Sequence, residues 1–182
     1  MHYEKGIWIF GYGSLIWNPG FEYSAKQNAV LTGFKRAFCL WSVHYRGDEQ
    51  QPGLVLGLDP MEGAVCEGVA YYVAANEAKK AHLYLRDREL ISYAYHEHFE
   101  PLLLADGQTV TALCYVVDPA HSQYAGGLSL DAQAQVIGAA KGSAGPNLEY
   151  LLNTAQHLAA LGIKDEEIEA LVFSCSAASI VE

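Results

Sequence analysis

The sequence predicts an α+β fold built on a small, strongly curved mixed sheet or barrel with helices flanking it. Three observations carry that prediction. Strand-like segments cluster early in the chain, and helical patterns gather late, from about residue 129. Apolar residues make up 51% of the 182 positions and charged ones only 18%, the balance of a globule that buries its own core. A chain this long forms one domain, here residues 1–182, and buries about two thirds of its unfolded surface.

The elements follow in order. Ile7-Trp8-Ile9-Phe10 is an apolar run that reads as a buried strand. Asn18 to Gln27, with Pro19-Gly20, is looser, and Ala29 to Leu40 holds a second strand. Residues 44–53 form a polar loop rich in Gly and Pro. Leu54–Leu58 and Cys66–Val73 read as a hairpin across Asp59-Pro60-Met61-Glu62-Gly63. Asn76 is a candidate cap for a helix running to about Leu90, with Glu77 in its first turn. Ser92–Glu100 and Thr109–Val117 pair about Asp106-Gly107. Ser129–Ala140 is helical and breaks at Gly142-Ser143-Ala144-Gly145. Pro146 suits the first turn of a third helix, whose stripe is Leu148, Leu151, Leu152, Ala155, Leu158 and Ala159, ended by Gly162. Asp165 caps a last helix through Ile168, Leu171 and Val172.

Charge and cysteine usage narrow the partners. Lys and Arg number 11 against 21 Asp and Glu, a net charge of −10, so no basic field exists to condense on nucleic acid or an anionic membrane. No apolar run reaches the length of about 20 residues that crosses a bilayer, and the N-terminus lacks the apolar core of a signal peptide. Cys39, Cys66, Cys114 and Cys175 lie far apart without a C-x-x-C pair, which fits reduced thiols and a cytoplasmic protein.

Phe10-Gly11-Tyr12-Gly13-Ser14-Leu15 is the first candidate for function. Gly11 and Gly13 let the backbone turn sharply at a strand end and approach a ligand closely. Such a corner can aim successive N–H groups at a small anion such as a carboxylate, or serve as a structural turn only. A dinucleotide fingerprint would need glycine where Ile16 stands, and no Gly-Lys-Ser/Thr follows to make a phosphate loop.

The helix over 76–90 supplies the second candidate. Its core-facing positions, spaced four-three-four, are Ala78, His82, Leu85 and Glu89. Glu89 is a carboxylate where packing alone would place Leu or Ala, and it sits at the negative end of the helix dipole. Burial and dipole both raise its pKa, the profile of a general acid/base. A salt bridge to Arg86 or Arg88 is the structural alternative. His82 reads as a satisfied core histidine. His96 and His98, at i and i+2, read as a solvated sheet face or as two metal ligands without a third. Ser14 lacks the context of a nucleophilic serine. Tyr71, Tyr72, Tyr93 and Tyr95 read as core edge.

Taken together, these residues resemble the ChaC-like γ-glutamylcyclotransferases. Phe10-Gly-Tyr-Gly-Ser-Leu15 after a Trp-x-Phe strand is similar to that family's signature, and Tyr84-Leu-Arg-Asp-Arg-Glu89 is similar to its Tyr-Leu-x-x-Arg-Glu segment. The likeness continues at Lys35–Phe38, Ser42–Gly47, Tyr124-Ala-Gly-Gly and Gly142–Leu151, in the same order over nearly the whole chain. His44-Tyr45-Arg46-Gly47 stands where the family has His-Arg-Gly, and Ile91-Ser92 where it has Gly-Gly; both departures bear on pocket shape.

The resemblance implies a γ-glutamylcyclotransferase-like fold, a small β-barrel flanked by helices. It implies intramolecular cleavage of glutathione to 5-oxoproline and cysteinylglycine, with no metal or cofactor. Glu89 is then the general acid/base. Phe10, Gly11, Tyr12, Gly13, Ser14 and Leu15 bind the substrate; Tyr12 and Tyr124 are candidates to hydrogen-bond it, and Arg46 to hold its distal glycine carboxylate. Two alternatives stay open: a binding or regulatory module for γ-glutamyl compounds, and cyclotransfer on other γ-glutamyl amines or amino acids.

Overall fold

Strand β1, Ile7–Gly11, is buried along nearly its whole length because it has neighbours on both edges. It pairs antiparallel with β3, from Ile7↔Val73 to Gly11↔Val69, and parallel with β5 at Trp8↔Ala112 and Ile9↔Leu113. A continuous apolar run is what such an enclosed strand requires. The computed structural model describes residues 3–178. After β1 come one 3-10 turn, Ser14–Ile16, and two long strands, β2 (Ala25–Ser42) and β3 (Gly53–Val73). Helix α1 spans Ala75–Glu89, and β4 (Tyr95–Leu104) and β5 (Thr109–Val117) form an antiparallel pair. Five strands close into a barrel in the order β1-β3-β2-β4-β5, the small mixed barrel that the sequence predicts.

Two expectations fail here. Asp59–Gly63 is not a loop between two strands: residues 53–73 form one strand, and the connection between β2 and β3 is the polar loop over residues 43–52. Gly63, at φ 76, marks turn chemistry used inside a strand, where a left-handed glycine accommodates a sharp bend: Leu58 pairs parallel with β5, whereas Val69–Val73 pair antiparallel with β1, itself parallel to β5. Asn76 is not the cap of α1. Ala74 is, because β3 runs to Val73 and the helix begins at Ala75, leaving Asn76 already inside it. The Asp106-Gly107 turn is present, with Gly107 at φ 87 and the Asp106 carboxylate accepting from the Gln108 N–H at 2.9 Å.

The chain divides into two compact units. The first takes the described residues up to Arg36 together with Leu58–Asp118; the second takes Ala37–Gly57 and the residues from Pro119 onward. The first unit's core includes Ile9, Phe10, Leu31, Leu58, Tyr71, Leu85, Leu102 and Leu113. Ala78, His82 and Leu85 of α1 are buried as their spacing predicts. Tyr93 is not core edge: it is 73% exposed, at φ 58, on the link between α1 and β4.

In the second unit, helix α2, Leu130–Ala139, is capped by the Ser129 hydroxyl, which accepts from the Ala132 N–H. Two-residue strands β6 (Lys141–Gly142) and β7 (Gly145–Pro146) precede helix α3, Asn147–Ala160, so Pro146 is its cap and not its first turn. Helix α4, Glu166–Ala178, is capped by Asp165 as expected. The buried stripe of α3 is Asn147, Tyr150, Leu151, Thr154 and Leu158, so Leu148, Leu152, Ala155 and Ala159 fall outside it. Asn147 earns its burial by mimicking a strand: its amide accepts from the Leu54 N–H at 2.6 Å and donates to the Leu54 carbonyl at 2.7 Å. All four cysteines are buried.

Candidate active site

The glycine loop begins where β1 ends and is held from below. Tyr71, fully buried, donates its hydroxyl to the carbonyls of Leu15 (2.9 Å) and Ile16 (3.0 Å). Burial, with the neighbouring Tyr23, keeps the Tyr71 phenol protonated well above its ordinary range, so it remains a donor. Arg36, also buried, donates from Nε to the Tyr12 carbonyl at 2.6 Å and from a terminal nitrogen to the Glu67 carbonyl. A Cβ on Gly11 would fall 3.2 Å from Leu15 Cβ and 3.3 Å from the Tyr71 ring, which is how closely the loop folds on itself. The 3-10 turn closes with Ile16 N–H on the Gly13 carbonyl, so the Ser14 and Leu15 N–H groups lie at its open end.

Glu89 occupies the last position of α1, with 18% of its side chain exposed. Burial raises its carboxyl pKa, and the Arg88 guanidinium, 3.1 Å from Nε to Oε1, opposes that shift. The expected acid and its structural alternative therefore coexist, with Arg88 as the partner; Arg86 faces elsewhere. Arg88 also joins the helix end to the loop. It donates from one terminal nitrogen to Ser14 Oγ at 2.8 Å and from the other to the Asn18 carbonyl at 2.7 Å. Ser14 is thus an anchor of the loop, and Glu89 and the loop meet across one guanidinium.

His82 is the satisfied core histidine that the sequence suggests. Tyr3 Oη lies 2.7 Å from Nδ1, and Nε2 donates to Glu97 Oε1 at 2.6 Å. Glu97 and Tyr115 are not singled out by the sequence reading. The Tyr115 hydroxyl donates to Glu97 Oε1 at 3.1 Å, and the Tyr115 carbonyl accepts the Tyr12 hydroxyl at 3.0 Å. Strand alternation gives no signal for Glu97, which falls on the same alternate positions of β4 as the exposed Phe99 and Leu103. His96, 59% exposed, lies 3.3 Å from Asp118, and His98 lies 3.2 Å from Glu100.

Arg46 and Tyr124 belong to the second unit. Arg46 is mostly buried, donating to the Pro146 carbonyl at 3.0 Å and lying over the Tyr150 ring, with Glu149 at 3.7 Å. Tyr124 bridges to Leu40 through its backbone, and its hydroxyl occupies the space that a Cβ on Gly126 would need. A surface groove on a different stripe of α1, lined by Gly20, Phe21, Lys80 and Tyr84 among others, holds none of the predicted site residues.

The barrel thus sets a glycine-bearing strand end and a half-buried carboxylate on either side of one guanidinium. The ChaC-like protein family model matches residues 7–178, and the chain belongs to that family. It is 38% identical over 171 residues to the glutathione-specific γ-glutamylcyclotransferase of Escherichia coli K12, covering 94% of this chain and 73% of that protein. It is 36% identical to human glutathione-specific γ-glutamylcyclotransferase 1, covering 92% and 78%. The crystal structure of a yeast γ-glutamyl cyclotransferase specific to glutathione superposes with a TM-score of 0.87 at 25% identity, covering 95% of this chain and 96% of that one. No helix among the described residues is long and apolar enough to cross a membrane.

Proposed function

We propose that this chain is a glutathione-specific γ-glutamylcyclotransferase. The observation that carries the reading is the pairing of a half-buried Glu89, its pKa raised by burial, with the glycine loop through Arg88, in a chain whose family relatives bear that activity by name. The substrate's own α-amine attacks its γ-carbonyl and closes a five-membered lactam. The amine nitrogen loses a proton to Glu89, the C–N bond to the cysteinyl residue breaks, and the same proton passes to the leaving nitrogen. Products are 5-oxoproline and cysteinylglycine, and no water is consumed. General acid/base catalysis of this kind contributes about 10²- to 10⁴-fold.

Orientation supplies the larger share. Well-aligned intramolecular attack is worth about 7–11 kcal/mol of barrier. In this reading the backbone from Phe10 through Gly11, Tyr12, Gly13 and Ser14 to Leu15 seats the γ-glutamyl head, with the N–H groups at the open end of the turn facing its α-carboxylate. The Tyr12 hydroxyl proton goes to the Tyr115 carbonyl, so its oxygen is suited to accept from an amine and not to donate to a carboxylate. Arg46 and Tyr124 are assigned to the rest of the substrate, Arg46 to the glycine carboxylate. Replacing Arg46 with Met should raise KM for glutathione more than for γ-glutamyl dipeptides that end before that glycine.

The deciding experiment is Glu89→Gln assayed for 5-oxoproline from glutathione. Product formation should fall by about 10²-fold or more while glutathione binding by calorimetry is retained. Turnover near that of the unaltered protein would remove Glu89 from the mechanism.

A further inference from the structure

The proposed chemistry leaves the half-buried carboxylate of Glu97 unused. Glu97 keeps 18% of its side-chain exposure, the same as Glu89. A carboxylate taken out of water is costly unless donors surround it. Glu97 is surrounded: Oε1 accepts from His82 Nε2 and from the Tyr115 hydroxyl, and Oε2 lies 3.3 Å from an Arg86 terminal nitrogen. His82 and Arg86 lie one helical turn apart on α1, seven and three residues before Glu89. Tyr115 lies on β5, and its backbone carbonyl holds the hydroxyl of Tyr12 in the glycine loop. A single carboxylate on β4 therefore joins the helix that ends in Glu89 to the strand that holds the loop.

We propose that Glu97 is a positioning residue for the cyclisation: by binding His82 and Tyr115 together it sets where Glu89 stands relative to the glycine loop. The inference rests on Glu89 as the general acid/base. His82 and Tyr115, both almost fully buried, carry the clamp; Arg86, about half exposed, adds little in water. Burial first, then the charges of Glu97 and Glu89, raise the Tyr115 phenol pKa, so Tyr115 stays a donor at every pH of interest. A base displaced by about 1 Å loses rate on the order of 10²-fold without loss of ground-state binding, so the effect belongs in kcat.

Four variants test this at a temperature where circular dichroism matches the unaltered protein. Glu97→Ala should lower kcat by about tenfold or more with KM within about twofold. Glu97→Gln keeps an oxygen that accepts from His82 and Tyr115, and should restore kcat to within about threefold. Tyr115→Phe, which removes one hydroxyl only, should lower kcat by about threefold at unchanged KM. An unaltered kcat in Glu97→Ala, a KM that rises in step with the fall in kcat, or a Glu97→Gln as impaired as Glu97→Ala overturns the proposal. If Glu97→Ala does not fold, Tyr115→Phe decides alone, and an unchanged kcat overturns it. Glu89→Gln in the same assay separates the two readings: its activity removes Glu89 and the inference together, whereas its inactivity beside a fully active Glu97→Ala removes Glu97 only.

Discussion

The end of α1 and the start of β4 each hold a carboxylate with 18% of its side chain exposed, and their neighbours treat the two differently. Glu97 meets an imidazole, a phenol and a guanidinium, which leaves its oxygens occupied. Glu89 meets one guanidinium, which also binds Ser14 and the Asn18 carbonyl. Equal shielding thus yields one carboxylate fixed as a structural anchor and another whose raised pKa suits it to move protons. Donor number, not depth, separates the two roles.

The largest expected effect breaks the comparison outright. Glu89→Gln should reduce 5-oxoproline formation by about 10²- to 10⁴-fold, and Glu97→Gln by no more than about threefold. Equal losses in the two variants would erase the distinction. Arg88→Lys sharpens it at the next level. An ammonium cannot reach Ser14 Oγ, the Asn18 carbonyl and Glu89 Oε1 at once as a guanidinium does. Activity should fall by about tenfold, through the loop as well as through Glu89. A variant with unchanged kcat and KM would show that the Arg88 link between helix and loop does not matter to turnover. The acid limb of kcat/KM is a further test. Since burial raises the Glu89 pKa, activity should fall on acidification at a pH above the ordinary carboxylate range, about 4.3. That limb should be absent from the residual activity of Glu89→Gln.

These contrasts also explain what the sequence discloses. β1 and its loop are legible because an enclosed strand must be apolar and a sharp exit needs glycine. Glu89 is legible because four-three-four spacing puts it on the stripe of Ala78 and Leu85, where an acid has no packing reason to be. Glu97 and Tyr115 are not, because their meaning arises only where α1, β4 and β5 meet. Asn147 and Thr154 escape for a related reason. Each is a polar residue on a buried stripe, made acceptable by a specific acceptor or donor, Leu54 for Asn147 and the Tyr150 carbonyl for Thr154. Hydrophobic periodicity cannot anticipate such a partner. The Asp59–Gly63 error is different in kind: Pro and Gly mark a change in backbone direction, and a long curved strand needs one as much as a hairpin does.

The smallest effect is on stability, and its sign is diagnostic. Because the folded chain raises the Glu89 pKa, it binds that proton more tightly than the unfolded chain does. The stabilisation is fully present below the unfolded value of about 4.3 and is lost as pH rises through the folded value. Glutamine is neutral at every pH and avoids that loss. Glu89→Gln should therefore melt higher than the unaltered protein near pH 7, with the difference shrinking towards zero below about pH 4. Each kcal/mol of relief corresponds to about 2–4 °C for a domain of this size. The Arg88 contact acts in the opposite direction, since it favours the charged acid. A lower melting temperature for Glu89→Gln at neutral pH would mean that this ion pair outweighs burial. Glu89 would then be an anchor like Glu97, and the contrast between the two carboxylates would collapse.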